Sequence, residues 1–174
     1  MSGLTYDQLI ISVTDHIDDN NKTRYFIALS GPPASGKSTI SENLAKDLSA
    51  KGYNSSILQM DGFHYDDLIL KEKNLLSKKG APETFDVMGL INFVSRLHKE
   101  DEVVIPIFDR SLELSRSSAA IISKNTKVII VEGNYILLNN YPWKELHKFF
   151  NSTVIINCEE KVLEKRLIER WEKF

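Results

Sequence analysis

The sequence predicts an α/β fold in which helices cover both faces of a mainly parallel β-sheet. Two observations lead to this prediction. Short apolar runs alternate along the chain with segments whose apolar residues recur at helical spacing, which is typical of strand–helix–strand units. The runs are also apolar at nearly every position, as expected of parallel strands that are buried on both faces.

The first half of the chain predicts two helices and two strands in alternation. Apolar residues at helical spacing predict an N-terminal helix over residues 9–17, and Tyr25–Ser30 (YFIALS) predicts the first buried strand. Residues 40–48 carry one apolar stripe and predict the second helix. Residues 55–60 predict the second strand, so that two strands flank one helix.

The second half predicts a short extended segment over residues 103–108, buried strands over residues 128–131 and 153–157, and a last helix near residues 163–171. Right-handed crossovers would join the parallel strands. A further helix is predicted over residues 86–99, with four apolar residues on its inner face: Met88, Ile91, Val94 and Leu97.

The composition favours one globular domain over residues 1–174. Apolar residues make up 42% of the chain and charged residues 26%. The net charge of -2 gives no strong field for nucleic acid or an anionic membrane, and no apolar run approaches the length of a membrane span. No secretory signal is evident, and the single Cys158 cannot form an internal disulfide, so we expect a cytoplasmic protein.

The first candidate site is GPPASGKS, directly after the first strand, which fits the pattern G-x-x-x-x-G-K-[ST]. A buried strand enters the motif and an amphipathic helix leaves it. The glycines let backbone N–H groups turn inward around an anion, and the helix N-terminus adds positive charge. The lysine would reach the β- and γ-phosphates of a nucleotide, and the serine hydroxyl would ligate Mg²⁺. The sequence therefore predicts a P-loop NTPase three-layer sandwich that binds ATP and Mg²⁺ through Gly31, Pro32, Pro33, Ala34, Ser35, Gly36, Lys37, Ser38 and Thr39.

The second candidate site, DGFHYDD, follows the second strand. Its Asp61 is placed to accept the proton of an acceptor hydroxyl during phosphoryl transfer. A helix cap or turn residue beside Gly62 is the alternative, and the segment alone leaves both open.

Acidic and basic residues elsewhere add to the candidate site. Glu132, at the end of VIIVEGNY, can hold hydrated Mg²⁺, with a solvated strand end as the alternative. Arg110, Arg166 and Arg170 could neutralise a transferring phosphoryl group, although surface ion pairs are the commoner explanation for any one arginine.

Five segments occur in one order along the chain: GPPASGKS, MDGFHYDD, KKGAPETFD, PIFDR and VEGNYILL. Together they resemble the P-loop small-molecule kinases that include phosphoribulokinase, uridine kinase and bacterial pantothenate kinase. Within that group the chain is most similar to the fructose kinase-like, nucleoside-kinase-like branch. The resemblance extends over residues 25–171, nearly the whole chain.

The resemblance implies a role for each matching residue. Asp61 would be the catalytic base, and Lys37 would act on the phosphates. Ser38 and Glu132 would hold the metal. Arg166 and Arg170 would belong to a lid over the nucleotide. The acceptor pocket would be lined by Asp61, His64, Lys79, Phe85, Asp86, Arg110 and Glu132.

These patterns predict an ATP-dependent kinase acting on a hydroxyl of a small metabolite. A sugar such as fructose is the first expectation for the acceptor and a nucleoside the second. KGAPETFD departs from the KGFPESYD of pantothenate kinases, and uridine kinases lack the KGAP segment. An ATPase or regulatory module without an acceptor is the alternative, whereas a GTPase would need an N-K-x-D segment that is not found.

The chain stops at RLIERWEKF, where relatives continue into a last strand and an adenine-contacting loop. Either the domain is truncated at its C-terminus, or the adenine is held by fewer contacts. A sheet edge left exposed in this way would favour a homodimer.

Overall fold

The structure, a computed structural model, describes residues 3–18 and 24–171, except for the side chains of Asp18, Arg170 and Trp171. Within these residues, no helix has the length and apolar character needed to cross a bilayer. In chain order the helices and strands are α1 (Tyr6–Asp18), β1 (Tyr25–Ser30), α2 (Lys37–Ala50), β2 (Ser55–Gln59), α3 (Asp67–Glu72), α4 (Val87–Leu97), β3 (Val103–Asp109), β4 (Leu114–Ile122), β5 (Val128–Gly133), β6 (Ser152–Ile155) and α5 (Glu160–Trp171).

Four parallel strands form the central sheet, in the order β2-β5-β1-β6. Strands β1 and β5 are buried at every position, because helices pack on both of their faces. On one face, Ile27 and Leu29 pack with α1 and α2. On the other face, Phe26 and Ala28 pack with α4 and the buried Trp143. The predicted three-layer α/β sandwich with a mainly parallel sheet is therefore confirmed.

Helix α4 shows where the predicted inner face was wrong. Met88 was expected in the core, but its side chain is 55% exposed. The helix begins at Val87, after the Asp86 carboxylate accepts a hydrogen bond from the Gly89 backbone N–H at 2.8 Å. Met88 follows Val87 by one residue, which puts it about 140° around the helix from the centre of the buried stripe. The residues on the buried stripe are Val87, Leu90, Val94 and Leu97.

The extended segment predicted over residues 103–108 belongs to a second, two-stranded sheet. Strand β3 pairs with β4 in antiparallel fashion, and the register shifts between Ile105 and Ile107, around Pro106. Strand β4 was not predicted, because the polar residues of LSRSSAAII are clustered near its start without strand alternation, and most of its positions are exposed or half-buried. This hairpin packs beside the end of β2, and so contributes residues to the candidate site.

Candidate active site

The phosphate loop, residues 31–38, joins β1 to α2 and has the predicted strand–loop–helix setting. Gly36 caps α2 with φ of +90°, in the left-handed region that favours glycine. Lys37 is buried, and its Nζ donates to the Pro32 carbonyl at 2.8 Å, so the ammonium lies against the loop itself. Pro32, Pro33 and Thr39 are exposed at the outer side of the loop and at the start of α2.

Ser35 provides a test of whether this loop fits an anion. Its hydroxyl oxygen is buried, and within the described residues it is one of two buried side-chain polar atoms that lack a hydrogen-bond partner. A buried polar group without a partner costs about 1–3 kcal/mol, so the hydroxyl gains from a ligand that accepts its hydrogen bond. A phosphate oxygen held by the loop would supply that acceptor. The residues present therefore fit a nucleotide phosphate.

Ser38 and Glu132 face each other across the top of the sheet. Glu132 is the next-to-last residue of β5, and the neighbouring strands β1 and β2 place Leu29 and Gln59 beside it. The Ser38 hydroxyl donates to Glu132 Oε2 at 3.4 Å, a distance at the long end for a hydrogen bond. A hydroxyl and a carboxylate are oxygen ligands of the kind that Mg²⁺ prefers. Ser38 and Glu132 are thus the residues that would hold the metal.

Burial raises the pKa of Glu132 above its usual range, and the charge of Asp61 raises it further. Lys37, Ser38 and Arg110 act in the opposite direction. Ionising this buried carboxylate therefore costs free energy, because the charge is partly removed from water. A bound cation would offset that cost. Asp61, Lys37 and Arg110 are thus the charged residues that act on the Glu132 carboxylate.

Asp61 lies in a short turn, Met60–Phe63, directly after β2. Its carboxylate is partly exposed, at 29%, and Oδ2 accepts a hydrogen bond from Arg110 Nη2 at 2.9 Å. Arg110 follows β3, so the hairpin brings it to Asp61 across 49 positions of sequence. The structure therefore unites Asp61, Arg110, Glu132, Ser38 and Lys37 at one edge of the sheet. Their catalytic and binding roles stay predictions.

His64 supports the turn that carries Asp61. Its Nδ1 lies 2.8 Å from the Asp61 backbone carbonyl, which accepts a hydrogen bond if that nitrogen carries the proton. Its ring centroid lies 4.0 Å from that of Phe85 and 4.7 Å from that of Phe108. Burial lowers the pKa of His64, which favours the neutral ring. His64 was predicted to line the acceptor pocket, and the structure also gives it a structural contact.

Three other residues predicted for the acceptor pocket have contacts of their own. Lys79 Nζ lies 2.8 Å from Asp67 Oδ1 and 3.1 Å from the Glu113 carbonyl, and so ties α3 to the β3–β4 turn. Asp86 caps α4, and Phe85 is buried at 3% exposure. Each of these three residues therefore stabilises the local fold, and their role in an acceptor pocket stays a prediction.

Arg166 extends from α5 to the phosphate loop, where its Nη1 donates to the Ala34 carbonyl at 3.3 Å. This position suits the predicted lid, because the guanidinium lies beside the residues that would hold phosphates. The side chain of Arg170, the second predicted lid residue, lies outside the described residues.

Two further residues were not predicted from the sequence. Ser115 on β4 donates from its hydroxyl to the Gly62 carbonyl and links the hairpin to the Asp61 turn. Tyr135 donates from its hydroxyl to the Gly80 carbonyl at 2.8 Å and packs edge-on against Phe85. Tyr135 lies inside the EGNY motif and could have been selected from it. Nothing in the sequence pointed to Ser115, because the strand that brings it to the Asp61 turn was not predicted.

Gly133 makes a close approach that couples two strand ends. A Cβ atom at this position would lie 2.5 Å from Met60 Cβ, which is shorter than van der Waals contact. We expect Gly133→Ala to lower the free energy of unfolding by about 1–3 kcal/mol through overpacking. Urea unfolding would measure the change, with Gly3→Ala as control, since a Cβ atom there meets nothing within 4 Å. Equal stabilities of the two variants would contradict the crowding.

Comparisons with known proteins now identify the family. The protein-family description "AAA domain" matches residues 27–173. The chain belongs to this family. It is 34% identical over 157 residues to the uncharacterized protein YggC of Escherichia coli K12, covering 87% of this chain and 63% of that protein. It is 28% identical over 151 residues to a pantothenate kinase of Enterococcus faecalis, covering 84% of this chain and 49% of that protein. The chain thus spans less than two thirds of the length of these two relatives.

A solved structure is also similar to this AAA-domain protein. The crystal structure of a protein from Silicibacter sp. TM1040, provisionally named a fructose transport system kinase, superposes with a TM-score of 0.93. The sequences are 37% identical, and the match covers 98% of this chain and 83% of that one. The resemblance to P-loop small-molecule kinases that the five sequence segments predicted is therefore confirmed.

Glu132→Gln is expected to raise the stability of the fold and to weaken the binding of Mg²⁺. Since the folded state raises the pKa of Glu132, its charge destabilises the fold at neutral pH, and this cost disappears as the pH falls through the raised pKa. The neutral variant should therefore unfold at a higher temperature at pH 7. Its affinity for Mg²⁺ should fall about 10–100-fold, the usual loss for a residue that supports a metal. Thermal unfolding and calorimetric Mg²⁺ titrations with a non-hydrolysable ATP analogue would check both effects; a less stable variant with unchanged Mg²⁺ affinity would contradict them.

Proposed function

We propose that this protein is an ATP-dependent kinase that transfers the γ-phosphoryl group to a hydroxyl of a small, sugar-like metabolite. One observation carries the proposal. The Asp61 carboxylate stands just after β2, where its charge acts on Glu132, and Glu132 in turn pairs with Ser38 beside the phosphate loop. A nucleotide-binding loop alone needs no carboxylate on its acceptor side, whereas transfer to a hydroxyl does.

In the proposed reaction, the acceptor hydroxyl loses its proton to Asp61 as its oxygen forms a bond to the γ-phosphorus. The bond between that phosphorus and the bridging oxygen breaks, so the products are ADP and a phosphate monoester. Lys37 and the loop N–H groups hold the phosphates, and Arg166 adds positive charge beside them. Mg²⁺, when bound at Ser38 and Glu132, supplies further charge neutralisation.

The preference for a sugar rests on similarity. The Silicibacter protein, with 37% identity, carries a provisional name that refers to a fructose transport system kinase. The segment KGAPETFD, residues 79–86, differs from the KGFPESYD of pantothenate kinases. Both features support an uncharged sugar over pantothenate.

The test is an ATP-consumption screen over sugars, nucleosides and pantothenate at fixed Mg²⁺. We expect a sugar to stimulate ADP formation at least tenfold over the rate without acceptor. Stimulation by a nucleoside or pantothenate alone would retain the kinase and replace its acceptor. ADP formation that no acceptor changes would instead indicate an ATPase or regulatory module and would overturn the proposal.

A further inference from the structure

The Asp61–Arg110 ion pair engages the proposed base before any acceptor is present. Arg110 Nη2 donates to Asp61 Oδ2 at 2.9 Å, and the arginine side chain is 58% exposed while that of Asp61 is 29% exposed. A carboxylate oxygen that accepts a charge-assisted hydrogen bond has its lone pairs and charge directed to the guanidinium. The guanidinium therefore occupies Asp61 Oδ2, and another partner must displace it to reach this oxygen.

The competing partner that matters is water. Any kinase can also hydrolyse ATP by transferring the γ-phosphoryl group to water. In this reaction the water oxygen bonds to the γ-phosphorus, the bond to the bridging oxygen breaks, and the proton passes to the base. The products are then ADP and inorganic phosphate. Because water reaches a partly exposed carboxylate without any acceptor, a free Asp61 would activate it as readily as a hydroxyl.

The backbone around Arg110 is anchored, so release of Asp61 needs a change in the Arg110 side chain alone. The Asp109 carboxylate accepts hydrogen bonds from Ser111 and Arg116, and Lys79 Nζ donates to the Glu113 carbonyl. These contacts fix the turn between β3 and β4 on both sides of Arg110. A change of rotamer at Arg110 is then sufficient to release the carboxylate of Asp61.

We propose that Arg110 is a positioning residue that occupies Asp61 until an acceptor hydroxyl replaces it, and so limits transfer of the phosphoryl group to water. The inference rests on the proposed function. The expected size of the effect is modest, because exposed ion pairs are weak. Their usual strength corresponds to a change of about twofold to fivefold in the fraction of free carboxylate. A pair this weak also yields readily to an acceptor.

The experiment compares ADP formation with and without acceptor in wild type, Arg110→Gln and Arg116→Gln. Arg116 is the matched control, since it is 54% exposed on the same hairpin and pairs with Asp109 at 3.1 Å. We expect Arg110→Gln to raise hydrolysis without acceptor about twofold to fivefold, with no gain in acceptor-stimulated turnover. Arg116→Gln should leave the ratio of the two rates unchanged. A thermal unfolding scan would establish that both variants are folded.

A double variant shows whether Arg110 acts through Asp61. In Asp61→Asn/Arg110→Gln, hydrolysis should not exceed that of Asp61→Asn alone, because no carboxylate remains to be released. Hydrolysis that is unchanged, lowered or undetectable in Arg110→Gln would overturn the inference, as would an equal rise in Arg116→Gln. The hydrolysis assay needs no acceptor. Failure of the proposed function, in which no acceptor stimulates the wild type, is therefore a different result.

Discussion

Replacing Asp61 with asparagine is expected to lower acceptor-stimulated turnover about 10²–10⁴-fold, the usual contribution of a general base. Asparagine keeps the size and one oxygen of the side chain but cannot take a proton from a hydroxyl at neutral pH. ATP affinity should change little, because the phosphate loop and Lys37 are untouched. The turn should also stay folded, since the neighbouring Met60 and Phe63 are buried and Asp61 itself is partly exposed. Steady-state kinetics and calorimetric nucleotide titration would measure the two effects.

Asp101→Asn is a suitable control for this substitution. Asp101 is also an exposed aspartate in an ion pair, with Lys124 at 2.7 Å, but it lies at the opposite end of β3 from Arg110. Its turnover should match that of wild type. If Asp61→Asn retained wild-type turnover, Asp61 would not be the base. If ATP affinity fell in parallel with turnover, the residue would act in nucleotide binding instead.

Replacing Arg24 with methionine is expected to cause the largest loss of stability, about 3 kcal/mol or more. Arg24 is buried immediately before β1, and methionine would fill similar volume without donating a hydrogen bond. The unsatisfied buried carbonyls would then carry a cost of about 1–3 kcal/mol each, reduced where solvent reaches them. The guanidinium donates to four backbone carbonyls, those of Leu97, Glu100, Asp101 and Ser123.

Urea unfolding would measure the Arg24 effect, with Arg96→Met as the matched control. Arg96 is an arginine of α4 that pairs on the surface with Glu100 at 2.8 Å. Loss of an exposed pair of this kind costs about 1 kcal/mol or less. Arg24→Lys adds a second comparison, because one ammonium has only three donors and lacks the planar fork. A loss for Arg24→Met no greater than that for Arg96→Met would contradict this account.

The parallel sheet and the phosphate loop could be predicted because their signals are local. Strands buried on both faces must be apolar at every position, as in Tyr25–Ser30, and the loop needs glycines and a lysine at fixed spacing. The inward position of Met88 was wrong because residues spaced strictly by three drift around a helix, and the buried stripe of α4 follows positions 87, 90, 94 and 97 instead. Strand β4 was missed because an exposed antiparallel ribbon does not have to be apolar throughout, and the first half of LSRSSAAII is mostly polar.

The contacts that organise the site join residues far apart in the sequence, so no local sequence motif predicts them. Asp61 and Arg110 are 49 positions apart, and Arg24 reaches the Ser123 carbonyl across 99. Asp61 could be proposed as a base from its position after a strand, but its ion pair depends on where the β3–β4 hairpin packs. The same packing decides the contact between His64 and Phe108.

The central claim is that the phosphoryl group goes to an acceptor hydroxyl with Asp61 as base. The most direct measurement is a single-turnover reaction with γ-³²P-labelled ATP, Mg²⁺ and fructose, in which the labelled products are separated. We predict that wild type places the label in a sugar phosphate monoester and that Asp61→Asn forms this product at least about 10²-fold more slowly. Label found in inorganic phosphate alone, at the same rate with and without sugars, nucleosides or pantothenate, would contradict the account.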